Sequence, residues 1–92
     1  MEIVIKNVKY NVIKNERDAL NLTDLEDKLT DYFDNFDYIL GDYAYGKLRL
    51  KGFNNKENKN FKPYNDIDTI DDYIKNHCAY GCRHFIITKH LK

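Results

Sequence analysis

Tryptophan is absent from this chain, proline occurs once (Pro63) and cysteine only twice. No apolar run approaches the roughly 20 residues needed to cross a bilayer. The first one, Ile3-Val4-Ile5, is far shorter than the core of a secretion signal. Two cysteines without such a signal fit a reducing compartment, where structural disulfides are uncommon. A cytoplasmic location without membrane attachment is therefore expected. An excess of charge is lacking too: 15 basic residues stand against 15 acidic ones, which excludes a grossly cationic nucleic-acid binder. No GxSxG, P-loop, HExxH or dinucleotide fingerprint occurs, so neither an enzyme nor a bound cofactor is expected.

What is present suffices for one small core. The sequence is 42% hydrophobic and 14% aromatic, a globular composition. Ninety-two residues fit a single domain spanning 1–92. A chain this short buries roughly 60–65% of its unfolded surface, so its stability has little reserve. Eight tyrosines indicate rings lying with one polar edge near water. Charge is segregated along the chain. Leu22 to Asp37 holds six acids (Asp24, Glu26, Asp27, Asp31, Asp34, Asp37) and one lysine, Lys28. Lys47 to Lys62 holds six bases (Lys47, Arg49, Lys51, Lys56, Lys59, Lys62) and one acid, Glu57. Acidic helices opposite a basic strand and loop would form a charge dipole.

The β-branched stretch 2–14 predicts two strands joined by a tight turn near Lys6-Asn7. Thr23-x-x-Glu26 reads as a capping box. Behind it, Leu22, Leu25, Leu29, Tyr32, Phe33 and Phe36 recur at helical steps, predicting one long first helix with an apolar stripe. Residues 38–42 and 47–53 predict a hairpin with its loop near Tyr43–Gly46. The polar stretch Asn54 to Lys62 reads as the most mobile part of the chain. A second helix is expected from Asp68-Thr69, with Thr69-x-x-Asp72 as its cap, Ile70, Tyr73, Ile74, His77 and Cys78 on one face, and Gly81 as its stop. A final strand follows over 83–88. The order β-β-α-β-β-α-β predicts an α+β fold, a two-layer sandwich with both helices on one face of a mainly antiparallel sheet. Strand order is not readable from the sequence.

Three groups of residues invite a functional reading. "HCAYGCRH" (77–84) places His77, Cys78, Cys82 and His84 within eight residues, enough side chains for a metal site or a redox pair. A structural zinc site usually joins two separated knuckles, and this segment has one. Cys78 on the apolar helix face and Cys82 just past Gly81 are therefore read as thiols that fill the core. In the strand Lys47-Leu48-Arg49-Leu50-Lys51, alternation sends the leucines inward and the three cations together to the other face. With Tyr43 and Tyr45 nearby, that face is the preferred contact surface for an anionic partner, protein or nucleic acid. Its alternative is an ordinary solvated strand face. Asp42 with Tyr45 and Arg49 could form a general base and oxyanion holder, although a polar network local to the hairpin loop explains them more simply. The expected role is a binding or regulatory module without catalysis.

Two blocks carry a family likeness. FDYILGDYAYGKLRLKGF (36–53) and IDTIDDYIKNHCAYGCRHFIITK (67–89) resemble the signature blocks of the YutD-like proteins, small proteins of low-GC Gram-positive bacteria. The matched positions include Gly41, Asp42, Tyr45, Gly46, Arg49, Lys51, Gly52 and Phe53, then Cys78, Gly81, Cys82 and Phe85. Tyr43 stands where tryptophan is usual, and Ala44 where glycine is. The resemblance implies a small cytosolic α+β domain and brings no activity, substrate or cofactor with it.

Overall fold

Residues 1–77 and 83–89 are described by the structure, a computed structural model. The strands are β1 (Glu2–Ile5), β2 (Val8–Glu16), β3 (Tyr38–Ala44), β4 (Lys47–Phe53) and β5 (His84–Thr88); the helices are α1 (Leu22–Lys28) and α2 (Ile70–His77). All five strands join one sheet in the order β1-β2-β5-β3-β4, and every neighbouring pair is antiparallel. The expected α+β class, the antiparallel sheet and the element order all stand. β5, the last strand in the sequence, sits at the centre.

Both hairpins close in two residues with positive φ, the turn geometry that matches strand twist: Lys6 and Asn7 (51° and 69°) in the first, Tyr45 and Gly46 (54° and 75°) in the second. The sheet is apolar on both sides along its middle strands. Ile39, Phe85 and Ile87 face a cluster with Ile3, Ile5, Tyr10, Leu25, Leu29 and Leu48. Leu40 and Ile86, their sequence neighbours, join Phe53 on the other side, packed by Tyr38, Ile67, Ile70, Tyr73 and Ile74. Successive strand residues point to opposite faces, so α1 covers the first face and α2 the second. This revises the expected two layers with both helices on one face. The physical reason is the uninterrupted apolar runs Ile39-Leu40 and Phe85-Ile86-Ile87, which need cover on both sides.

The first helix is shorter than its stripe. Leu29 leaves helical geometry (φ −76°, ψ 116°), and the chain resumes as a 3-10 turn, Asp31–Asn35. Lys6, in the β1–β2 turn, donates its ammonium to the Leu29 carbonyl at 2.8 Å, satisfying a helix-end acceptor from outside the helix. The cap is Asn21, whose side chain accepts from the Asp24 amide, rather than the Thr23 box. At the second helix Asp66 accepts from the Asp68 amide, and a 3-10 turn (Ile67–Thr69) leads into α2.

The segment after β4, expected to be the most mobile, is tied down by Asn54. That side chain is fully buried; its Oδ1 accepts from the Asp37 amide at 2.9 Å and from Asn58 at 3.2 Å. Its backbone forms a parallel bridge to the returning chain: the Asn54 amide donates to Asn65 O (2.7 Å) and the Ile67 amide to Asn54 O (3.0 Å). Satisfied buried polar groups of this kind fix a loop that composition alone marks as loose.

Candidate binding surface on the β3–β4 hairpin

Register decides which of the sequence candidates meet. Asp42 lies opposite Arg49 on β4 and opposite His84 on β5, so His84, Asp42 and Arg49 form a row across three strands on the α2 side. Asp42 and His84 are buried. The Arg49 guanidinium grips the carboxylate with two bonds, Nε to Oδ1 at 3.0 Å and Nη2 to Oδ2 at 2.7 Å. The arginine side chain is 50% exposed and the carboxylate side chain 5%. The pair thus shows its cationic half to water, with its anionic half as a buried anchor. Two-pronged charge-assisted bonds are among the stronger polar contacts. The expected loop network around Asp42 is instead a cross-strand ion pair in the middle of β3, and Tyr45 takes no part in it.

The basic row keeps its alternation: Leu48 and Leu50 pack with the α1-side core, and Lys47, Arg49 and Lys51 share the other face. That face is not open along its length. The Lys51 ammonium sits 5.2 Å, 5.9 Å and 5.4 Å from the ring centres of Phe53, Tyr64 and Tyr73, a cation held against three aromatic faces. Lys51 is half-buried and Lys47 is exposed. The cationic groups exposed at the hairpin end of this face are therefore Lys47 and the outer half of Arg49.

The two tyrosines part company. Tyr43 is half-buried on the α1 side, its hydroxyl donating to Asp24 Oδ2 at 2.7 Å and its ring 4.7 Å beneath the Arg83 guanidinium. Burial, then the hydrogen bond and charge of Asp24, push its phenol above the ordinary value of 10.0, against a smaller lowering by Arg83. Tyr43 is thus committed within the fold, on the face away from the cations. Tyr45 is the reverse case: it sits at the hairpin tip, fully exposed at 104%, with φ 54°.

Of the thiol cluster, Cys78 and Cys82 lie outside the described residues. His77 closes α2, and His84 stands beside Asp42 in the sheet. Among the described residues no group of three or more His, Cys, Asp or Glu side chains is placed to hold a metal ion. No helix among them is long and apolar enough to cross a membrane. The pairing of His84 with Asp42 had no signal in the sequence, because it depends on β5 inserting beside β3.

With this geometry in view, comparison with known proteins is specific. Residues 4–88 match the family described as "Putative antitoxin YutD-like". A protein of Bacillus subtilis (strain 168) described as "Putative antitoxin YutD" is 34% identical over 87 residues, covering 95% of this chain and 96% of that protein. The solution NMR structure of yutD from B. subtilis superimposes with a TM-score of 0.77 at 34% identity, covering 96% of this chain and 80% of that one.

Proposed function

The chain belongs to the YutD-like family, and from that premise we propose that it is a binding module that holds an acidic protein partner on the tip and outer flank of the β3–β4 hairpin. Tyr45 is the anchor, and Lys47 with the exposed half of Arg49 supplies the charge. The word antitoxin in the descriptions of the family and of the B. subtilis relative fits a protein that works by holding a target.

One observation carries the reading: a bulky side chain, Tyr45, stands fully exposed in the left-handed region. That conformation costs a non-glycine residue about 1–2 kcal/mol, and exposed tyrosine is a favoured anchor at protein interfaces. A protein partner fits better than nucleic acid. Asp42 already satisfies Arg49 and three rings hold Lys51, so few cations remain for the multiple phosphate contacts that binding a polyanion requires.

A photoreactive benzoyl-phenylalanine at position 45 tests this in cells that produce the protein. One cross-linked protein is expected from position 45, and none from position 32, where another exposed tyrosine sits away from the hairpin. No adduct at 45, or adducts mainly with RNA, overturns the reading.

A further inference from the structure

β4 is an edge strand, and its register states which of its backbone groups face outward. The two-residue turn makes Ala44 and Lys47 a doubly hydrogen-bonded pair, and such pairs then alternate along an antiparallel ladder. Asp42–Arg49, Leu40–Lys51 and Tyr38–Phe53 follow as bonded pairs. Leu48, Leu50 and Gly52 therefore turn their N–H and C=O groups away from β3. Asn54 continues the same parity, and there the outward groups are occupied: its amide donates to Asn65 O and its carbonyl accepts from the Ile67 amide. The chain's own residues 65–67 thus act as a short added strand at one end of this edge. Gly52, buried beside them under the Phe36 ring, marks where that cover ends. From Leu48 to Leu50 no strand among the described residues neighbours this edge.

We propose that this remaining length of β4 receives an extended acidic segment of the partner by strand addition. The proposal rests on the binding reading above and specifies its mode. Backbone bonding would come from Leu48 and Leu50, as in other cases where a peptide extends a sheet. Selectivity follows from the side chains flanking the edge. On the α2 side the incoming strand runs beside Lys47, Arg49 and Lys51, and on the other side beside Leu48 and Leu50. The matching segment is about five residues long, with acidic and apolar residues alternating and at least one carboxylate set against Lys47. An exposed edge bearing lysine resists pairing with neutral or basic strands; an acidic strand turns that repulsion into attraction.

Amide hydrogen exchange tests the mode directly. In the protein alone, the Arg49 and Lys51 amides should be protected and those of Leu48 and Leu50 should exchange at least tenfold faster. Adding a peptide of alternating glutamate and valine should slow exchange at Leu48 and Leu50 at least threefold. A lysine–valine peptide should leave both unchanged, and Lys47→Glu, an exposed substitution, should abolish the effect of the acidic peptide. Protection confined to β1, or equal response to both peptides, overturns the proposal. So does concentration-dependent protection without peptide, which would mean that a second copy pairs with the edge. A Tyr45 cross-link with no edge protection sinks strand addition and leaves the binding reading intact; failure of both removes both.

Discussion

The two faces of the sheet are built to different rules. Under α1 the packing is apolar and close: Leu25 and Leu29 descend onto Ile39, Leu48, Phe85 and Ile87, and two glycines make room for rings. A Cβ at Gly41 would overlap the Phe85 ring, and one at Gly52 the Phe36 ring. Under α2 only the end nearest Phe53 is apolar; the hairpin end is the polar row His84–Asp42–Arg49 flanked by Lys47. One face resists volume change and the other resists loss of a charge partner. The contact surface proposed above lies on the second.

The sharpest way to break this contrast is Gly41→Ala. If the α1 face is as tightly filled as the Phe85 ring implies, the added methyl should destabilise by about 3 kcal/mol, the upper range for overpacking. A urea midpoint shifted by much less would mean that the ring can move and that this face is no more rigid than the other. Next in size is the ion pair. Arg49→Ala removes a two-pronged charge partner from a buried carboxylate and should cost about 2 kcal/mol. Asp42→Asn removes the charge opposite an arginine already half in water and should cost less. The reverse ranking in denaturant unfolding would remove the view of Asp42 as the buried anchor. The smallest effect belongs to a polar contact between α1 and the sheet, Tyr43 with Asp24. Tyr43→Phe should cost about 1 kcal/mol. Because the folded phenol holds its proton more tightly than the unfolded one, its contribution is full below pH 10 and is lost as pH rises through the raised folded pKa. Wild type should therefore lose more stability than Tyr43→Phe above pH 10, and parallel pH profiles would contradict that contact.

Much of this was legible residue by residue. The β3–β4 hairpin with its loop near Tyr43–Gly46, the turn at Lys6-Asn7, the inward leucines and outward cations of β4, and the family blocks all follow from local chemistry. The apolar runs Ile39-Leu40 and Phe85-Ile86-Ile87 also told that both faces would be covered, a signal outweighed by the expectation of a two-layer sandwich. Other features had no local signal. The break after Leu29 depends on Lys6, 23 residues away. The order of Asn54 to Lys62 depends on a bridge to Asp66. The partition of Tyr43 from Tyr45 depends on a turn that begins two residues later than expected. In the first two cases a long-range partner overrode a sound local tendency.

The central position of β5 has a consequence for synthesis. β1 and β2 pair locally, as do β3 and β4, but among the described residues no ladder joins these two hairpins except through β5. Until residues 84–88 have left the ribosome, the nascent chain carries two half-sheets with edges unsealed and two apolar surfaces without their middle. Such intermediates expose strand edges to mispairing. Assembly of this sheet therefore waits on translation of its central strand, and a stall before residue 84 leaves a product that cannot close.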